Sequence, residues 1–179
     1  MATPLTASRA PDAVSEATHP HLQALMMAAR ARGPIAVAIA YPCDASSLQS
    51  ASEAARAGLI TPILVGPRSR IEAAAQKANV DLESLAIQET EDDPRAAASK
   101  AAALCRDGQA AALMKGSLHS DELLGAAVAK EAGLRGGRRA SHVFVLDVPA
   151  FDRPLLITDC VVNIAPTLMD KRDIAQNAV

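Results

Sequence analysis

The sequence predicts a parallel α/β fold in three layers, with helices on both faces of a mostly parallel sheet. Two observations carry this. Short apolar runs alternate with segments that open on helix caps and close on glycine or a turn, and the alternation repeats four times before residue 133. The runs are also continuous rather than alternating polar and apolar, as expected of strands covered on both faces.

Taken in order, residues 1–19 are rich in Ala, Pro, Ser and Thr without periodicity and are expected to form a disordered tail. Leu22, Leu25, Met26 and Ala29 fall on one helical face, and Gly33 follows that helix. Pro34–Ala40 (PIAVAIA) is a buried strand. Asp44 or Ser46 caps a helix that runs to about Ala57, where Gly58 terminates it. Thr61–Val65 is the next strand, Gly66-Pro67 its exit, and Ser69–Ala78 a helix. Leu85–Gln88 is a third strand. Asp93-Pro94 starts a helix to about Arg106, with Asp as cap and Pro in the first turn. Ala110–Met114 is a strand that exits through Lys115-Gly116, and Ser120 or Asp121 caps a helix to Ala132.

The remaining stretch, Gly133–Val179, gathers the polar groups. A glycine-punctuated loop carries Arg135, Arg138 and Arg139. A strand over Ser141–Leu146 and another over Leu155–Thr158 follow, separated by a turn with Asp147, Pro149, Asp152 and Pro154. A polar loop, Asn163–Thr167, leads into a helix from Leu168, capped by Thr167 with Asp170 in its first turn. That helix reaches Val179 with Ile174, Ala175, Ala178 and Val179 unaccounted for, so a missing partner segment is expected. The division expected is a first α/β domain over 20–150 and the start of a second over 151–179.

Composition narrows function. Aromatics make up 2% of 179 residues and the net charge is -2, which speaks against nucleic-acid binding by stacking or by general attraction. Cys43, Cys105 and Cys160 lack paired spacing and read as small buried apolar residues of a reducing compartment. No apolar run approaches the roughly 20 residues of a membrane helix, and the N-terminus lacks a signal-peptide core. A cytoplasmic chain is expected, with no membrane partner.

Ligands of open α/β sheets bind outside the carboxyl ends of the strands, which directs attention to Tyr41–Asp44, Gly66–Arg68, Lys115–Ser117 and Asp159. Lys115-Gly116 is a candidate anion contact, against the alternative of a solvated lysine beside a turn glycine. The arginines of the 135–139 loop match phosphate geometry, and Ser141 adds a hydroxyl donor. Neither a Walker pattern nor GxGxxG is present. Asp147, Asp152 and Asp159 fit no recurring metal motif, and His119 and His142 complete no triad with a serine or cysteine.

Three ordered segments carry a resemblance: ALMKGSLHSDELL (Ala112–Leu124), GLRGGRRASHVFVLDVP (Gly133–Pro149) and DRPLLITDCVVNIAPTLMDKRDIAQNAV (Asp152–Val179), joined by VGPR at Val65–Arg68. Together they resemble the phosphate acetyltransferase/phosphate butyryltransferase family, in the style of its butyryltransferase branch. The resemblance implies reversible acyl transfer from acyl-CoA to inorganic phosphate, giving acyl phosphate and CoA. Coenzyme A is then a substrate, with no cofactor and no metal. It also implies a two-domain fold akin to isocitrate and isopropylmalate dehydrogenases, with the second domain incomplete here. Separately, the apolar helix face left uncovered leads to the expectation of a homo-oligomer, a dimer. Arg139 is implied as the phosphate contact beside Ser141, and Lys115, Gly116, Thr158, Asp159 and Asn163 as cleft-lining positions. The family's serine, arginine and aspartate nearest the thiol belong to a later segment, so no catalytic base can be named in this chain. The alternative is a non-catalytic homologue that binds CoA or phosphate or pairs with a full-length subunit.

Overall fold

The computed structural model describes residues 19–130 and 134–179. The expected tail, apart from His19, lies outside the described residues, as do Gly133 and the last two residues of the helix expected to reach Ala132.

Four strands, β1 (Ile35–Ala40), β2 (Ile60–Gly66), β3 (Ala86–Glu89) and β4 (Ala112–Lys115), form a parallel sheet in the order β3-β2-β1-β4. The register pairs Ile39 with Leu64 on one side and Met114 on the other. Side chains of β1 alternate between two cores, as a two-residue period requires. Val37 and Ile39 face α2 (Ala45–Arg56) and α3 (Arg68–Ala78), where Leu48, Leu64 and Ile71 complete a buried cluster. Ala38 and Ala40 face α4 (Pro94–Arg106) and its neighbour α5 (Ser120–Val128), meeting Ala97, Ala98 and Ala101. Alanine opposed to alanine lets α4 lie close on the sheet, which explains why so small-sided a core is filled.

The expected caps of α2 and α4 are present: Asp44 accepts from Ser47 N, and Asp93 from Arg95 N and Ala96 N. At α5 the expectation of Ser120 or Asp121 is corrected. His119 is the N-cap residue, and its N–H is taken by the Glu122 carboxylate at 3.0 Å. Sequence rules favour a short oxygen-bearing cap, but here the third helical residue reaches back instead.

Two further strands, β5 (Val143–Leu146) and β6 (Leu155–Thr158), make a separate antiparallel sheet, with Val143 opposite Thr158. The strands on either side of residue 150 therefore pair with each other. The final helix, α6 (Leu168–Ala178), starts on the expected Thr167–Asp170 cap and packs on β6. Its apolar face is not wholly open, because Ile174 is only 6% exposed. The first helix, α1 (Pro20–Ala31), behaves otherwise: its expected apolar face is uncovered, Leu25 at 56% and Met26 at 40% exposure. It is tied down at its N-terminus, where the Asp147 carboxylate accepts from His21 N at 2.8 Å and Leu22 N at 3.1 Å. Amphipathic spacing specifies a face but not what covers it.

Candidate functional site

The singled-out residues fall into two groups. The first lies at the carboxyl ends of β1 and β4. Gly116 N donates to Ala40 O at 2.9 Å and Ser117 N to Tyr41 O at 2.9 Å, so the exit of β4 runs hard against the exit of β1. A Cβ on Gly116 would collide with the carbonyl oxygens of Ala40 and Tyr41, which is why glycine stands there. Ser117 Oγ donates to Tyr41 O at 2.9 Å and accepts from Cys43 N at 3.2 Å. Lys115 folds its ammonium back onto Leu118 O at 2.8 Å and Gly116 O at 3.3 Å.

Tyr41 itself takes a left-handed backbone (φ 52), which costs a non-glycine residue about 1–2 kcal/mol. Its hydroxyl donates to Asp92 at 2.5 Å, and Arg70 lies 3.3 Å from both Asp92 oxygens with its guanidinium 5.5 Å from the Tyr41 ring centre. Burial, followed by the bond to Asp92, pushes the Tyr41 hydroxyl up to about 12, and burial pushes the Cys43 thiol up to about 11. Neither is poised to ionise near neutral pH. Asp92 was not singled out in the sequence; its loop position gives no local signal of a partner 51 residues away.

The second group brings together Arg139, Ser141, Thr158, Asp159 and Asn163. Asp159, at the end of β6, accepts from His142 N at 3.2 Å, Val162 N at 3.0 Å, Asn163 N at 3.0 Å and the Asn163 side-chain amide. Thr158 Oγ1 donates to His142 O at 2.7 Å, so both residues staple the start of β5 to the end of β6. Asn163 donates a second amide hydrogen to Ala140 O at 2.9 Å and accepts from Arg139 Nη1 at 3.1 Å. The Arg139 Nε also meets Asp170 Oδ1 at 2.9 Å. Asn177 donates to Arg139 O at 2.8 Å and Ser141 Oγ at 2.9 Å. Ala127, Val128 and Leu134 form the apolar wall, and Arg135, Arg138 and Arg139 the basic wall, of a cavity of about 770 Å³. This combination of apolar surface with three lining arginines suits an anionic ligand that carries an apolar portion.

Asp159 thus has a mainly structural task, and Asp147, at the N-terminus of α1, has another. The His142 ring lies edge-on to Phe144 with centroids 4.1 Å apart. Among the described residues, no hydrogen bond or ion pair joins the Lys115–Gly116 group to the Arg139 group. Asp170 was read as a helix-start residue and Asn177 was not singled out. Their seven-residue separation, two turns of one face, was the available signal.

The Asp159 donors, the Asn163 side chain foremost, hold its carboxyl down to about 2. Because the folded value lies below the unfolded one, its contribution to stability is complete above about pH 4 and is lost as the pH falls through the folded value. Carbon NMR titration of the Asp159 carboxyl is expected to give a midpoint near that depressed value, and an ordinary aspartate midpoint would mean the donors do not engage it in solution.

Comparison with known proteins gives this geometry a context. Residues 95–179 match the family model described as "Phosphate acetyl/butaryl transferase". The chain is 51% identical over 157 residues to a phosphate acetyltransferase of Rhizobium meliloti, covering 87% of this chain and 49% of the relative. It is 38% identical over 143 residues to a phosphate butyryltransferase of Clostridium beijerinckii, covering 80% of this chain and 47% of the relative. Among solved structures, a branched-chain phosphotransacylase from Enterococcus faecalis superposes with a TM-score of 0.66 at 27% identity, covering 80% of this chain and 49% of that one. These identities correct the expected leaning towards the butyryltransferase branch. The leaning rested on a few short motifs within residues 112–179, whereas over matches of similar length the identity is 51% to the acetyltransferase and 38% to the butyryltransferase. The chain spans about half the length of the curated relatives it matches, and over that half it is a homologue of the phosphate acetyl/butyryl transferase family.

Proposed function

We propose that this chain forms the phosphate-binding part of a phosphate acyltransferase. The observation that carries the reading is the basic cavity lined by Arg139, which Asp170 and Asn163 brace and which Asn177 ties to Ser141. In the reaction, an oxygen of hydrogen phosphate adds to the thioester carbonyl of acyl-CoA. The new C–O bond forms as the C–S bond breaks, and the phosphate's proton ends on the departing CoA sulfur. Arg139 and the Ser141 hydroxyl would hold the phosphate while Arg135 and Arg138 face the anionic remainder of CoA. Lys115 would have to leave its loop carbonyls to reach a substrate, while Gly116, Thr158 and Asp159 shape the surrounding backbone.

The acetyl group is the expected acyl unit, supported by the greater likeness to acetyltransferases. The expected domain boundary would separate β5 from β6, so we place the start of the second unit ahead of β5. The exposed apolar side chains of that unit support self-association.

The test is thiol release from acetyl-CoA and butyryl-CoA with and without inorganic phosphate, using the chain alone and the chain together with the portion of a relative that it does not match. Phosphate-dependent release in either preparation, faster with acetyl-CoA, is expected. Phosphate and CoA binding with no turnover in both would instead favour a non-catalytic homologue, a reading supported by the half-length match.

A further inference from the structure

Helix α6 presents Asp170, Ile174 and Asn177 at i, i+4 and i+7, one above another on a single face. Ile174 is the buried anchor of that face, and the two polar residues flank it like brackets around the 139–141 segment. Asp170 divides its carboxylate. Oδ2 accepts from Thr167 N at 2.9 Å and Thr167 Oγ1 at 2.8 Å, closing the start of α6, while Oδ1 meets Arg139 Nε at 2.9 Å. Asn177 Nδ2 donates to Arg139 O and to Ser141 Oγ. A backbone carbonyl can only accept, so the orientation of this amide is fixed by its partner.

These bonds leave particular donors over. A guanidinium has five N–H groups; Arg139 commits its Nε–H to Asp170 and one Nη1–H to Asn163 Oδ1, which leaves three. Ser141 Oγ receives a hydrogen from Asn177, so its own hydroxyl hydrogen is directed elsewhere. Arg139, Ala140 and Asn177 line the cavity, and Ser141, which follows Ala140 in the chain, is tied to that lining through Asn177.

We propose that Asp170 and Asn177 are positioning residues which hold Arg139 and Ser141 as a preformed donor set for a tetrahedral oxyanion, inorganic phosphate. The proposal rests on the phosphate-binding reading above and adds to it the helix that sets the geometry. A preformed set loses little rotamer freedom on binding, which is where its advantage lies.

The experiment is calorimetric titration of the whole chain with inorganic phosphate, accompanied by NMR observation of the Arg139 Nε–H. Asp170→Asn keeps a side-chain oxygen for the Thr167 cap but removes the charge facing Arg139, and Asn177→Ala leaves the cap untouched. Each is expected to weaken phosphate binding about tenfold, with Asp170→Asn also loosening the Arg139 Nε–H. In an Arg139→Lys background, Asp170→Asn should have almost no further effect, because it acts through that guanidinium. A structural role alone would give the same added loss in both backgrounds and would overturn the proposal. So would tighter phosphate binding by Asp170→Asn, which would make Asp170 a competitor of the anion. If the native chain binds phosphate, binds it more weakly in Arg139→Lys and binds it at native strength in both α6 variants, only the positioning proposal falls. If the native chain shows no phosphate response at all, the phosphate-binding reading falls and takes this one with it.

Discussion

Replacing Gly116 by alanine is expected to destabilise the fold by about 3–5 kcal/mol, from overpacking together with strained or broken backbone hydrogen bonds. The atoms a Cβ would meet are Ala40 O, Tyr41 O and Tyr41 C, all backbone, so no side chain can swing aside. Relief requires β4 to part from β1 at its exit, which stretches Gly116 N to Ala40 O and Ser117 N to Tyr41 O together. Ala40 is fully buried at the end of a central strand, leaving little room to yield. Gly125→Ala is the contrast: nothing lies within 4 Å of its Cβ position, and it sits inside α5. There alanine is expected to be neutral or to stabilise by up to about 1 kcal/mol. Urea unfolding of the two variants should separate them clearly. A Gly116→Ala midpoint equal to the native one would show that the β1–β4 exits are not packed as described.

Arg139→Ala is expected to lower phosphate affinity by roughly 10- to 100-fold, the scale of a charge-assisted hydrogen-bond pair at about 1.5–3 kcal/mol. Stability should barely move. The Arg139–Asp170 pair is half exposed on the arginine side, and such pairs contribute less than about 1 kcal/mol. The Asp159–Asn163 bonds that shape the loop survive the substitution, since Asn163 still donates to Asp159 and Ala140 O. Calorimetric titration with phosphate and thermal unfolding on the same preparations would test the split. Unchanged affinity would remove Arg139 from the anion site, and a large fall in melting temperature would mark it as structural.

Much of this molecule is written locally. The α2 and α4 starts were legible because Asp44 and Asp93 cap within three residues of themselves, and Asp93-Pro94 adds a fixed backbone angle. The four parallel strands were legible because burial on both faces forces continuous apolar runs. The β5–β6 pairing was legible in principle: only residues 147–154 separate the strands, fewer than the dozen or more that a parallel crossover needs. Arg139, Ser141, Thr158, Asp159 and Asn163 were selected from sequence and do converge; Lys115 and Gly116 sit at the other group.

The sequence by itself determined the order and type of the elements, the caps of α2, α4 and α6, and the loop in which the guanidinium groups are concentrated. Those follow from torsional preferences, side-chain periodicity and hydrogen bonds that reach only a few residues along the chain. Tertiary structure alone decided which polar groups meet. The Asp147 carboxylate finds the start of α1 across 126 residues, Asp92 finds Tyr41 across 51, and Asn177 finds the carbonyl of Arg139 across 38. No local preference encodes such distances. They are set when apolar faces close on one another and the polar groups left at their margins must find partners or remain solvated.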